Sequence, residues 1–76
     1  MTIKIRVIAP FLIPGQAEDG SLELPDGIRV QDVFRRAHAP LLTNLLPVSI
    51  NGKQVSRSQK LKDGDLVVVI TPISGG

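Results

Sequence analysis

The stretch Leu66-Val67-Val68-Val69-Ile70, followed by Thr71-Pro72-Ile73-Ser74-Gly75-Gly76, decides the fold. It is the longest unbroken apolar run in the chain, and four of its five residues are β-branched, which favours a strand. A strand apolar at every position is expected to be buried on both faces, as in a central strand with a parallel neighbour. Such a buried last strand must sit near the first, which is read at the other end of the sequence. In TIKIRVIA at 2–9, Ile3, Ile5 and Val7 point one way and Lys4 and Arg6 the other, the period-two pattern of a strand. Ile8 and Ala9 carry the apolar character onto both faces, as a strand near the middle of a sheet requires.

Between these two strands the chain alternates turns with short elements. Residues 10–20 hold two prolines, two glycines and the acidic pair Glu18-Asp19, and read as an irregular loop. Residues 21–24 form a short second strand returning on the first. Pro25-Asp26-Gly27 is turn chemistry, because proline presets φ and glycine accepts a positive one. Val30, Val33, Phe34 and Ala37 then recur at helical spacing on one stripe. Asp32 in the first turn and His38 near the last suit the helix dipole. Arg29 is a weak N-cap, since it offers no side-chain acceptor. Pro40 stops the helix near Ala39. Asn51-Gly52 joins residues 47–50 to 53–55 as a tight hairpin, both residues tolerating positive φ. Asp63-Gly64 is a further turn leading into the last strand.

The order is β-β-α-β-β-β, with one helix available to cover one sheet. That predicts an α+β fold of the β-grasp (ubiquitin-like) kind, a mixed four- to five-stranded sheet packed on one main helix. Two parts are expected: a body over residues 1–71 and a flexible tail over 72–76.

Composition removes most functions. Seventy-six residues make one small domain, and at this size a core rarely supplies more than ~3–5 kcal/mol of stability. There is no cysteine, hence no disulfide, thiolate zinc site or cysteine nucleophile. The single histidine, His38 at a helix end, supports neither a histidine-rich metal site nor a catalytic triad, so no metal is expected. There is no phosphate-binding glycine loop, and Asp63-Gly64-Asp65 lacks the remaining ligands of a calcium loop. Tyr and Trp are absent and the net charge is only +2, which argues against nucleic acid. No apolar run approaches a membrane span, and MTIKIRV is not a secretory leader. A cytoplasmic location is the expectation.

The chemistry is therefore expected in the tail. Glycine has no Cβ, so Gly75 and Gly76 let the backbone enter a slot too narrow for any side chain. Pro72 stiffens the exit from the strand, Ser74 is small, and the carboxylate of Gly76 is unhindered. A carboxylate becomes an acyl donor once a partner activates it, for instance as an acyl-adenylate.

Three motifs together resemble the MoaD/ThiS family of ubiquitin-like sulfur carriers. They are Leu22-Glu23-Leu24-Pro25-Asp26-Gly27 with Val30 and Val33-Phe34; Val48 to Gly52 as V-x-x-N-G; and Leu61-Lys62-Asp63-Gly64-Asp65, an apolar strand, then Pro72-Ile73-Ser74-Gly75-Gly76. The last is the most specific. The resemblance implies a carrier, not an enzyme. An E1-like adenylyltransferase using ATP and Mg²⁺ would adenylate the Gly76 carboxylate, and a sulfurtransferase would convert it to a thiocarboxylate. The sulfur would pass to a synthase partner, the large subunit of a molybdopterin synthase or a thiazole synthase, in molybdopterin, tungstopterin or thiamine biosynthesis. No cofactor would be bound by the chain itself. Two other readings remain open at this level: a protein modifier conjugated through the same tail, and a β-grasp interaction module whose tail is inert. The proline-bracketed Phe11-Leu12-Ile13 departs from molybdopterin-type members, many of which have a helix directly after the first strand, and leans away from that branch, while the Pro-x-x-Gly-Gly ending leans towards it.

Two surfaces are candidates for partner binding. Phe11, Leu12 and Ile13 form an apolar loop tip, and Leu41, Leu42, Leu45 and Leu46 exceed what a turn needs; exposed, such residues would mark an interface, and buried, they would plug the open ends of the small core. Lys53, Arg57, Lys60 and Lys62 fall within ten residues that hold no acid. Glu18, Asp19, Glu23, Asp26 and Asp32 dominate the stretch from the first loop into the helix, an asymmetry able to steer a partner.

Overall fold

The computed structural model describes residues 1–38 and 46–70. Pro72, Ser74, Gly75 and Gly76, Pro40, the proposed boundary after residue 71, and Leu41, Leu42 and Leu45 lie outside them; the helix expected to run to about Ala39 ends earlier, at Arg36, with Ala37 as its C-cap and His38 beyond it at φ +50°. Five strands and one helix follow in the order β1 (Thr2–Ile8), β2 (Ser21–Pro25), α1 (Val30–Arg36), β3 (Val48–Ile50), β4 (Lys53–Val55) and β5 (Leu66–Val69). The sheet order is β2-β1-β5-β3-β4. β1 and β5 run parallel, with Arg6 opposite Leu66 and Ile8 opposite Val68; every other pairing is antiparallel. The α+β β-grasp architecture expected from the element order is the one observed, with five strands.

The alternation in β1 sets its register. Ile3, Ile5 and Val7 are buried, while Thr2, Lys4, Arg6 and Ile8 face solvent. Leu22 and Leu24 of β2 lie opposite Ile5 and Ile3 on the same inner face. The helix seals that face with Val30, Val33 and Phe34, all buried. Residues 9–20 are irregular, as the prolines require. Their path is held by the Gln16 side-chain amide, which donates to the carbonyls of Val7 and Gly20 at 2.8 and 2.9 Å. The hairpin turns on Asn51 at φ +53° and Gly52 at φ +88°, the positive pair that a two-residue connection needs.

The weak N-cap at Arg29 is observed and partly remedied. Its backbone is extended, and its own N–H donates to the Asp32 carboxylate at 2.9 Å. This is the return half of a capping box; a guanidinium, being only a donor, cannot supply the other half.

One expectation is corrected. β5 and the end of β1 are not buried on both faces. Val67 and Val69 are buried, but Leu66, Ile70 and Ile8 are 36%, 42% and 56% exposed. A single helix covers a single face of the sheet. The outward positions of 66–70 and Ile8 stay apolar although no layer of the described residues packs on them.

Candidate functional site

The tail follows Ile70, whose N–H donates to the Pro47 carbonyl at 2.9 Å. Ile70, the residue that the tail follows, is therefore held at a fixed point beside Pro47. Around that point, on the outer face, stand Ile8, Ile70 and the half-buried Val68, with Leu66 further along β5. Val68 lies directly between Ile8 of β1 and Ser49 of β3, so the apolar side chains form one contiguous surface. Lys4 and Arg6 continue the same face of β1. An exposed apolar patch edged by cations is what a protein interface leaves open in the free molecule.

The sequence did not single out this patch. The signal was available: 66, 68 and 70 share a face, and one helix cannot cover two. The loop tip that it did single out is divided by the structure. Leu12 is 90% exposed, but Ile13 is buried and Phe11 is half-buried against the core, its ring 5.4 Å from that of Phe34. Ile13 and Phe11 thus plug the end of the core, and only Leu12 of the three is free to meet a partner. Leu46 is half-buried against the same core.

The basic cluster is divided too. Arg57 lies over the Phe34 ring at 5.2 Å and donates to the Leu46 carbonyl at 3.3 Å, so its guanidinium serves packing. Lys53, Lys60 and Lys62 are exposed and share a groove beside the β3–β4 hairpin. On the opposite edge, the Ser21 hydroxyl and then the Ser21 N–H, 2.9 Å from Oδ1, hold the Asp19 carboxyl below its usual range. His38 is exposed at a positive φ and stands with Arg35 and Arg36 in a broad open groove beside α1. No group of three or more acidic, histidine or cysteine side chains able to hold a metal occurs among the described residues. Nor does any of their helices suffice, in length and apolarity, to cross a membrane.

The start of β5 is locked by a clamp that sequence reasoning reduced to two turns. Asn51 donates its N–H to the Leu66 carbonyl at 2.9 Å, and its side-chain oxygen accepts the Leu66 N–H at 3.0 Å. Its Nδ2 donates to Asp65 Oδ1 at 2.9 Å, and Asp65 Oδ2 accepts the Lys62 N–H at 2.8 Å. Asp65 is buried. Asn51→Gly keeps the positive φ and removes only the side-chain bonds, leaving a buried carboxylate oxygen short of a partner. The expected cost is about 1–3 kcal/mol in urea unfolding, against a change within about 0.5 kcal/mol for exposed Gln54→Ala. Equal midpoints for the two variants would disprove the clamp.

A five-stranded β-grasp body with this strand order defines a ubiquitin-like architecture. The chain belongs to the ThiS family, whose model matches residues 12–76, and members of that family are small sulfur carriers rather than enzymes. Its fold is similar to that of a Pyrococcus furiosus protein described as molybdopterin converting factor, subunit 1, at 27% identity and a TM-score of 0.52, over 96% of this chain and 99% of that one.

Proposed function

We propose that the chain carries sulfur as a thiocarboxylate on Gly76 and delivers it to a synthase subunit seated on the outer face of the sheet. The observation that supports this most is the family match, which runs through Pro72-Ile73-Ser74-Gly75-Gly76 to residue 76. In the first step a Gly76 carboxylate oxygen attacks the α-phosphate of ATP on an E1-like enzyme, pyrophosphate leaves and an acyl-adenylate forms. In the second, sulfur at the sulfide level, delivered by a sulfurtransferase, attacks the carbonyl carbon, AMP leaves and the thiocarboxylate remains. The chain's own contribution is positional. Gly75 and Gly76 present no side chain to the enzyme's slot, the Ile70–Pro47 bond fixes where the arm starts, and the patch at Ile8, Val68 and Ile70 orients the body.

The likeness to a molybdopterin converting factor subunit favours the molybdopterin or tungstopterin branch over thiamine, with a synthase large subunit as the acceptor. The irregular residues 9–20, where no helix follows β1, do not change that preference. They pack on the core end and leave the tail root open.

The test is intact-mass spectrometry of the full chain after incubation with the host's E1-like enzyme, Mg²⁺, ATP and a sulfur source. One oxygen exchanged for sulfur, localised to Gly76 by fragmentation, is the expected result. An unchanged mass with an activator that releases pyrophosphate on this chain would overturn the sulfur step. Chain-to-lysine conjugates in its place would establish a protein modifier.

A further inference from the structure

We infer that the cationic groove beside the β3–β4 hairpin is a second docking site, which takes an acidic segment of a partner protein while the tail end of the sheet stays free. The groove has a volume of about 410 Å³. Lys53, Lys60 and Lys62 stand on its rim, and Ile50 and Val55 contribute apolar surface to its floor. Among the described residues the one ion pair joins Arg35 to Asp32 at 3.4 Å, so these three ammonium groups have no counter-charge. Asp65, which also lines the groove, is buried with both oxygens engaged by Asn51 and the Lys62 backbone, and the Asp63 carboxylate accepts the Lys4 N–H at 2.7 Å. Like charges gathered on one rim repel, and an incoming carboxylate relieves that repulsion.

The backbone beneath the lysines is preorganised. Leu61, between Lys60 and Lys62, is buried, and its N–H donates to the Ile28 carbonyl at 2.9 Å. The Gln59 carbonyl accepts the Val30 N–H at 3.1 Å. Lys60 pairs with Arg29 as an isolated bridge, and Asn51 is held by Asp65 and Leu66. Lysine stems also lie well along apolar surface, so a cationic rim over an apolar floor fits an acidic segment with an apolar side chain among its carboxylates. A nucleic acid fits less well. It would need aromatic stacking, and the two phenylalanines are occupied with each other.

Placement gives the site its use. The hairpin meets β5 at Leu66, whereas the tail root is at Ile70, the other end of the strand. Four residues of strand separate the two by about 13 Å. An occupant of the groove therefore leaves the outer patch and the tail open to a second protein. The β2 edge, with Glu23 in the strand and Glu18, Asp19 and Asp26 flanking it, repels the same acidic segment and so fixes its orientation.

The test is an amide NMR titration of the full chain with an octapeptide of glutamates around one leucine. Parallel titrations use an oligothymidylate strand and dilution of the chain alone. The expected result is saturable shifts at residues 51–53 and 59–62, none at 8 or 70, weakening as salt is raised. Lys60→Gln with Lys62→Gln is expected to lower affinity about tenfold or more, as loss of ~1.4 kcal/mol or more would. Lys4→Gln with Arg6→Gln should leave it within about twofold, well under ~1 kcal/mol. Equal shifts at both ends of β5, no shift at low salt, tighter binding of the oligothymidylate at these amides, or the same shifts arising on concentration of the chain alone would each overturn the inference.

Discussion

A chain lengthened by one alanine beyond Gly76 is expected to melt at the native temperature, bind its activator and gain no sulfur. The change adds nothing to the sheet, whose last described contact is the Ile70 N–H to the Pro47 carbonyl, so stability is untouched. What it alters is the position of the only carboxylate that the proposed chemistry uses. A carboxylate displaced by one residue, about 3.5 Å of extended chain, no longer meets the α-phosphate in an enzyme slot shaped for the native arm. Misplacement by as little as ~1 Å is enough to cost a large factor in rate. Gly76→Ala tests the same slot differently: it keeps the carboxylate in place and adds a Cβ where the backbone must pass. Pyrophosphate release measures adenylation and intact mass measures sulfur gain, so a failure in either step is seen separately. Native sulfur uptake by the lengthened chain would refute the assignment of the terminal carboxylate, and with it the carrier mechanism.

The body of the molecule was legible because each of its signals is local. Alternation in 2–8, the Asn51-Gly52 turn and the stripe of Val30, Val33 and Phe34 are read within a few residues and appear as β1, the hairpin and α1. The parallel β1–β5 pairing followed from the apolar run at 66–70, although the reason offered for it, burial on both faces, does not hold. The inner face of β5 is apolar for folding. The outer face at 66, 68 and 70 is apolar with none of the described residues layered on it, and the unbroken apolar run hid that one helix covers only one face. Part of the surface singled out from the sequence proves to be packing. Phe11 and Ile13 look like an exposed tip until the Phe34 ring and the core end are seen beside them. Arg57 looks like a free cation until it is found over Phe34. Both errors concern contacts between residues distant in sequence, which periodicity does not encode. The Asn51–Asp65 clamp escaped for the opposite reason: each half was recognised as a turn, and their meeting depends on the β3–β5 register.

Leu24→Ala and Leu66→Asp separate the two faces of the sheet. Leu24 is 2% exposed within the inner cluster, and its truncation is expected to cost about 2–5 kcal/mol, the lost transfer energy plus that of the cavity left behind. A domain of this size holds only ~3–5 kcal/mol in total, so the variant should be largely unfolded near 37 °C, with a collapsed urea midpoint. Leu66, on the open face, already meets water over a third of its surface. Its replacement by aspartate leaves the inner cluster intact and removes only the part of the side chain that its strand neighbours cover, so the expected cost is about 1–2 kcal/mol, below that of Leu24→Ala. Its effect falls on association. A buried charge facing an apolar partner surface costs as much as a lost hot-spot residue, about 2 kcal/mol or more, roughly thirtyfold in affinity. Thermal unfolding and a sulfur-transfer assay on both variants therefore give opposite patterns: Leu24→Ala loses the fold, and Leu66→Asp keeps the fold and loses the transfer. If Leu66→Asp transferred sulfur at the native rate, the outer face would not be where the carrier's partner sits. If instead it unfolded with Leu24→Ala, the apolar residues on that face would be there for stability, and the open patch would have no claim to function.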